Sequence, residues 1–302
     1  MKVVITGATG FIGRSLCENL QSDYEIIAMS RNPEKAKIAL GDSVNIARWD
    51  AKNAEPLAKI IDGAYCVINL AGENVGIGRW TEKKKQKIIS SRLTATEAVV
   101  EAIRQTENKP AVLIQASAMG WYSSKEYIEA DEDNGPGDGF LANVSQQWES
   151  AAERITDMNV RLAKMRFGAV LGSAGGVLPA ITKPFKFYLG GYFGSGRQFF
   201  PWVSIDDVVG AVRFVMENEK CSGAFNVTGP VPIQLKEFCR QIGAAMNRPS
   251  WTMMPGFIVK LILGQMGEEL LLASYKIKPK RLIEAGYEFR HRTAGEALKE
   301  II

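Results

Sequence analysis

The sequence holds a single histidine, His291, and only four cysteines, Cys17, Cys66, Cys221 and Cys239, none of them in a CxxC pair. Zinc centres need clustered His and Cys, and disulfide frameworks need recurrent Cys spacing, so neither organises this fold. Thiols scattered in this way are expected as small buried apolar residues. Long hydrophobic runs are missing too. The most apolar late stretch, Phe257 to Leu272, is broken by Lys260, Gly264, Gly267, Glu268 and Glu269, which excludes a bilayer span. No basic segment and small-residue cleavage site mark a secretory leader, and the cytoplasm is the expected address. Neither sign of charge dominates, with 37 Lys and Arg against 33 Asp and Glu. A formal net charge of +4 suits an anionic cofactor and falls far short of a nucleic-acid-binding face. Basic stripes interleaved with aromatics are absent as well, so no nucleic-acid partner is expected. Lys83-Lys84-Lys85 with Lys87 is expected as a solvated helix start, and His291, between Arg290 and Arg292, as a surface residue.

What is present is an alternation of short β-branched runs with helical patterns, the signature of a parallel sheet with crossover helices. Strands are expected at Val3–Thr6, Glu25–Ser30, Asn45–Trp49, Cys66–Ala71, Val112–Ser117 and Ala163–Val170. Helices are expected near Ile12–Gln21, Thr81–Thr106 and Leu141–Thr156. Right-handed crossovers would assemble these as a Rossmann-type doubly wound α/β sheet. After Gly172 the composition shifts to a glycine-punctuated aromatic stretch that includes Tyr192, Phe193, Phe199, Phe200 and Trp202. Helical patterns follow at Asp206–Glu217, Leu235–Met246, Phe257–Leu263 and Ala294–Ile302. The expected layout is a cofactor domain over residues 1–172, to which later segments return, and a smaller, partly interwoven C-terminal lobe over 173–302.

The strongest chemical signal is Thr6-Gly7-Ala8-Thr9-Gly10-Phe11-Ile12-Gly13, placed after a strand and opening a helix. Glycines at these positions tighten the turn, admit a pyrophosphate to the backbone and let the helix pack on the sheet, while the helix N-terminus presents free N–H groups to the anion. At the end of the second expected strand stands Ser30-Arg31-Asn32, with no acid at the strand end. An acid there would select a free ribose 2′-hydroxyl, whereas an arginine suits a 2′-phosphate, and the offset from Gly10 is close to the usual roughly 20 residues. The expectation is NADP(H) with Arg31 on its phosphate; a solvated surface arginine is the competing reading.

With these residues in hand, the sequence resembles the extended, epimerase-like short-chain dehydrogenase/reductases, and within them atypical NADP-binding epimerase-related proteins with a C-terminal domain of unknown function. The carriers run end to end: Thr6–Gly13, Trp49-Asp50, Asn69-Leu70-Ala71-Gly72-Glu73-Asn74, Gly78-Arg79-Trp80, Ser91-Arg92-Leu93, Trp148-Glu149, Gly175-Gly176, Gly194–Gln198, Pro201-Trp202, Asn226 and Tyr287-Glu288-Phe289. The expected cofactor set is Gly7, Thr9, Gly10, Phe11, Ile12 and Gly13 of the loop with Arg31, to which the resemblance adds Trp49, Asp50, Asn69, Leu70, Ala71, Gly72, Glu73 and Glu149. Asp50 would sit near adenine, Asn69–Gly72 beside the nicotinamide-side ribose, and Glu149 on the helix that carries the superfamily's lysine. A capping role for Asp50 and a solvent-facing one for Glu149 compete with these assignments.

The superfamily's chemistry rests on a Tyr-x-x-x-Lys pair, in which the lysine lowers the tyrosine pKa for proton exchange. No tyrosine here is followed four residues later by lysine, and the helix expected to hold the pair reads Phe140-Leu141-Ala142-Asn143-Val144. The remaining hydroxyls at the end of the fifth strand are Ser117, which could orient a carbonyl, and Tyr122, which could donate a proton with Lys125 nearby. Two functions follow: an NADP(H)-dependent oxidoreductase or nucleotide-sugar-epimerase-like enzyme acting on a small polar carbonyl or sugar-like substrate, or a catalytically silent NADP(H)-binding sensor. Leu189–Trp202 would line or lid the substrate pocket in the first. No metal is expected in either.

Overall fold

The computed structural model describes residues 1–122 and 129–302. Strands and helices alternate through the first half: β1 (Lys2–Thr6), α1 (Phe11–Leu20), β2 (Glu25–Ser30), α2 (Pro33–Leu40), β3 (Asn45–Arg48), α3 (Ala54–Ile61), β4 (Cys66–Asn69), α4 (Glu82–Gln105), β5 (Val112–Ala118), α5 (Phe140–Glu153) and β6 (Arg161–Phe167). Shorter elements follow: β7 (Ala169–Gly172), β8 (Gly175–Gly176), α6 (Leu178–Lys186), β9 (Gly191–Phe193), β10 (Phe199–Phe200), β11 (Trp202–Ser204), α7 (Ile205–Glu217) and β12 (Gly223–Val227). The chain closes with β13 (Ile233–Gln234), α8 (Leu235–Met246), β14 (Thr252–Met254), α9 (Gly256–Leu263), α10 (Gln265–Leu270), α11 (Lys280–Glu284) and α12 (Ala294–Ile301).

Seven parallel strands form the main sheet in the order β12-β6-β5-β4-β1-β2-β3. The direction of winding reverses between β1 and β4, and the crevice above that switch point is where ligands of such sheets bind. Continuous apolar runs suit strands covered on both faces. Alternate residues accordingly serve two cores. Val3, Ile5, Cys66, Ile68, Val112 and Ile114 face a layer holding Leu16, Leu20, Val208 and Val212 of α1 and α7. Val4, Val67 and Leu113 face Leu57, Ile61, Val99 and Ile103 of α3 and α4. All four cysteines are buried free thiols.

The expected strand Ala163–Val170 is two strands. At Gly168 the chain leaves the main sheet, because Ala169 N donates to Pro201 O (2.7 Å) and β7 then pairs with β11. A side chain at Gly168 would lie 2.2 Å from Pro201 O, so only glycine allows the crossing. The seventh strand, β12, comes from beyond residue 172, at a position where the sequence pattern marks no strand. A further core of Leu178, Phe185, Trp202, Phe238, Ile242, Ala297 and Leu298 joins α6, α8 and α12. Glu269 of α10 reaches across to α5, accepting from Phe140 N (3.2 Å) and Leu141 N (2.9 Å), and so caps a helix that has no side-chain cap of its own.

Candidate cofactor and substrate site

The loops after β1 and β4 touch at the switch point. Gly7 has φ +66°, and a Cβ there would sit 2.7 Å from Leu70 O and 3.0 Å from Ala71 N. A Cβ on Gly13 would meet Gly7 O at 2.5 Å, so the first turn of α1 lies directly against the loop. That helix begins with Gly10 as N-cap, has no side-chain cap bond and carries no acid in its first turn. Its leading N–H groups and positive dipole end are thus free for an anion. Thr9 and Gly10 are exposed and Ile12 is half-buried. The Phe11 ring turns away to pack on a glycine hairpin: Cβ atoms on Gly172 and Gly175 would strike it at 2.4 and 2.5 Å. At the end of β2, Arg31 is exposed and makes no hydrogen bond or ion pair with any described residue. Trp49 is 4% exposed and bonds Asn53 O (2.8 Å) through Nε1. Asp50 is exposed and accepts from Lys52 N and Asn53 N, both at 2.9 Å, which holds its carboxyl below the usual range.

A buried polar rung crosses the next three strands. Thr6 Oγ1 donates to Asn69 Oδ1 (2.6 Å), and Asn69 Nδ2 donates to Gln115 Oε1 (2.9 Å) and Thr96 Oγ1 (3.1 Å). Asn69 is therefore committed to bracing β1, β4 and β5 from below the crevice. The exposed loop continues through Gly72 to Glu73, whose carboxylate pairs with Lys84 (2.8 Å) and Lys87 (3.0 Å) and titrates below its usual range for that reason.

Two residues higher, the parallel register aligns Ser117 of β5 with Arg166 of β6 and Arg166 with Asn226 of β12. Glu149 of α5 faces them and is 1% exposed. Arg166 forks onto its carboxylate through Nε (2.8 Å) and Nη2 (3.0 Å), Ser117 Oγ donates to Oε1 (2.7 Å), and Lys164 Nζ stands 3.4 Å away. The Arg166 Nη1 donates to the Tyr122 hydroxyl (2.9 Å), which itself donates to Asn226 Oδ1 (2.7 Å). Asn226 Nδ2 bonds Lys278 O (3.0 Å), and its N–H bonds Glu132 (2.8 Å). Trp121 lies over the guanidinium at 3.9 Å. Tyr122 is only 3% exposed, and burial pushes its phenol up to about 12 despite the neighbouring Arg166. Lys125 lies outside the described residues. Sequence reasoning missed Arg166, although charges at 164 and 166 in an apolar strand are a usable signal: period-two spacing places both on the face toward α5.

The position expected for Tyr-x-x-x-Lys is apolar in space as well. Val144 is buried with Trp80, Ile88 and Met266 of α10, and Phe140 packs edge-on to Trp80 at 5.0 Å.

His291 is not on the surface. It is 3% exposed, with Nδ1 3.0 Å from Ser204 Oγ and Nε2 2.8 Å from Glu300. Tyr287 docks on α7 through Asp207 O (3.1 Å), and the Asp207 carboxylate then accepts Arg290 N (2.7 Å) and His291 N (3.2 Å), drawing the ring inward. Ser204 is wholly buried, caps α7 and donates to Asp207 (2.6 Å), so it is no nucleophile. Among the described residues, Asp206, His291 and Glu300 have metal-ligand composition, but Arg290 already pairs with both acids.

A Rossmann sheet with a glycine cradle at its switch point, an arginine beyond β2 and a polar cluster at the end of β5 defines a dinucleotide-binding protein of the epimerase class, and the chain belongs to the NAD dependent epimerase/dehydratase family, whose profile matches residues 3–228. Residues 254–301 match a domain of unknown function, DUF1731. Over its full length the chain is 36% identical to the Arabidopsis thaliana epimerase family protein SDR39U1 homolog, chloroplastic, covering 100% of this chain and 87% of that one. It is 35% identical to Bacillus subtilis epimerase family protein YfhF, with coverages of 100% and 98%. The crystal structure of human epimerase family protein SDR39U1 (isoform 2) with NADPH matches at a TM-score of 0.90 and 32% identity, covering 100% and 99% of the two chains. No helix among the described residues is long and apolar enough to cross a membrane.

Proposed function

We propose that this chain is an NADP(H)-dependent oxidoreductase acting on a small polar substrate that carries a hydroxyl or carbonyl. The observation that carries the cofactor assignment is the pairing of a cradle only glycine can form with an exposed arginine that no described residue engages. The NADPH in the human relative supports it. In this reading the first-turn N–H groups of α1 hold the pyrophosphate, Arg31 holds the 2′-phosphate, and Leu70 to Gly72 flank the nicotinamide side. The bound nicotinamide supplies or takes up hydride.

Ser117 is the proton-handling residue of this reading. It is as buried as Tyr122, at 3% exposed, but its proton is directed at Glu149. No described group donates to its Oγ, so in this reading a ligand at the strand end meets the remaining lone pair. A substrate hydroxyl can hand its proton to Ser117 Oγ as the serine proton moves to Glu149; carbonyl reduction runs the same path backwards. Tyr122 acts as a positioning residue, since its proton is committed to Asn226 and burial opposes its ionisation. The experiment is single-turnover interconversion of NADPH and NADP⁺ over a panel of small carbonyls, alcohols and nucleotide sugars. Ser117→Ala should react about 10²–10⁴-fold more slowly with unchanged nucleotide affinity, and equal rates would sink the proposal. Phe140 and Val144, packed under Met266, favour a second reading: an NADP(H)-binding sensor that consumes nothing. NADPH binding by the wild type without turnover anywhere in the panel would select it.

A further inference from the structure

Arg92 of α4 is half-buried, and among the described residues no carboxylate bonds its guanidinium. Glu73, whose charge acts on it, has its carboxylate engaged by Lys84 and Lys87. Instead a single nitrogen, Nη1, donates to two main-chain carbonyls, Glu73 O (2.9 Å) and Ile88 O (3.1 Å). The guanidinium carbon stands 4.8 Å from the Trp148 ring centre, and a Cβ on Gly72 would meet Arg92 at 3.3 Å, so the side chain is clamped between an aromatic face and bare backbone. Burial lowers its pKa to about 10. The Nε and Nη2 edge has no hydrogen-bond partner among the described residues and is not among their polar atoms sealed from solvent.

A purely structural arginine packed this closely would gain from a carboxylate partner, because partly burying an uncompensated charge is costly. Here one edge is anchored and the other is open, beside the loop whose Leu70 and Ala71 backbone touches the glycine cradle. A planar fork fixed in this way matches the two oxygens of a carboxylate or phosphate. We propose that Arg92 is the anion-recognition residue of the substrate site, so that the substrate is a carboxylate- or phosphate-bearing hydroxyl or carbonyl compound. The proposal rests on the oxidoreductase reading above. The cofactor's own phosphates are the other source of the same chemistry, and the test separates the two.

The experiment titrates the NADP⁺-loaded protein with short 2-oxo acids, their methyl esters and inorganic phosphate by calorimetry, and titrates the nucleotide-free protein with NADPH. Acids should bind about tenfold to a hundredfold more tightly than the matching esters. Arg92→Gln should abolish that preference, Arg92→Lys should restore part of it, and both should bind NADPH within about twofold of the wild type. A purely structural arginine would alter folding without moving the acid-to-ester ratio. The proposal is overturned if acids and esters bind alike, if neither the acids nor inorganic phosphate bind measurably, or if Arg92→Gln loses NADPH affinity tenfold or more, which would place the cofactor's phosphate on Arg92. Wild type that binds no NADPH would instead defeat the oxidoreductase reading itself.

Discussion

Glu149→Gln is the substitution on which the buried network makes its sharpest demand. The side chains of Arg166 and Glu149 are 4% and 1% exposed, so neither charge can fall back on water when its partner is lost. Breaking such a pair typically costs about 3–5 kcal/mol, because the surviving charge stays buried and unmatched. Glutamine keeps one acceptor for the Arg166 fork, so the lower end is expected, about 3 kcal/mol. At about 2.1 cal/mol/K per residue, the unfolding entropy of a 302-residue chain is roughly 0.6 kcal/mol/K. The midpoint should therefore fall by about 5 °C, and by up to about 8 °C if the fork is lost altogether. Thermal unfolding followed by circular dichroism, checked by urea titration, measures this. Replacing both partners together, Glu149→Leu with Arg166→Met, should be less damaging than either single change, since no charge is left stranded. A Glu149→Gln midpoint within about 1 °C of the wild type would refute the reasoning: water would then reach the pair, and Ser117 would not face a sealed acceptor.

Three further outcomes follow from the same geometry. Gly7→Ala should lose NADPH binding and at least about 1–2 kcal/mol of stability, from its left-handed backbone and from overlap with Leu70 O; retained affinity by nucleotide fluorescence would contradict it. The phenolate absorbance lost in Tyr122→Phe should be missing from the wild type until the pH approaches about 12. Burial raises the folded pKa above the ordinary value of about 10, so the neutral phenol's contribution to stability is complete below that pH and declines as pH rises through the interval; a phenolate signal from Tyr122 at its ordinary value would count against the burial. Glu269→Ala should cost about 0.5–2 kcal/mol by uncapping α5, and an unchanged unfolding midpoint would deny that α10 supports that helix.

The phosphate loop was legible because it is local: strand, glycines and helix start lie within a dozen or so residues, and their spacing alone carries the geometry. The doubly wound sheet was legible for a related reason, since β1, β4 and β5 are apolar runs between clear turns. The polar cluster was legible only as single residues, Ser117, Tyr122, Glu149 and Asn226, without Arg166 and without their assembly. Ser117, Glu149, Arg166 and Asn226 are far apart in sequence, and only the parallel register of β5, β6 and β12 sets them side by side. The strand β12 opens on glycine and its apolar run is broken by Asn226, so its pattern does not announce a strand. His291 was misread because flanking arginines look like surface, whereas its ring is drawn in by main-chain bonds to Asp207 that no spacing rule reveals. The missing Tyr-x-x-x-Lys pair could be read as an absence, but the Met266 contact over Val144 could not.

In the proposed reading the crevice at the switch point takes NADP(H), with Arg31 on the 2′-phosphate. Parallel fluorescence titrations of wild type and Arg31→Ala with NADPH and NADH test it most directly. A charge-assisted contact worth about 1.5–3 kcal/mol predicts that wild type prefers NADPH by about tenfold to a hundredfold, and that Arg31→Ala erases the preference while leaving NADH affinity unchanged. Equal affinities of the wild type for the two nucleotides would contradict the account.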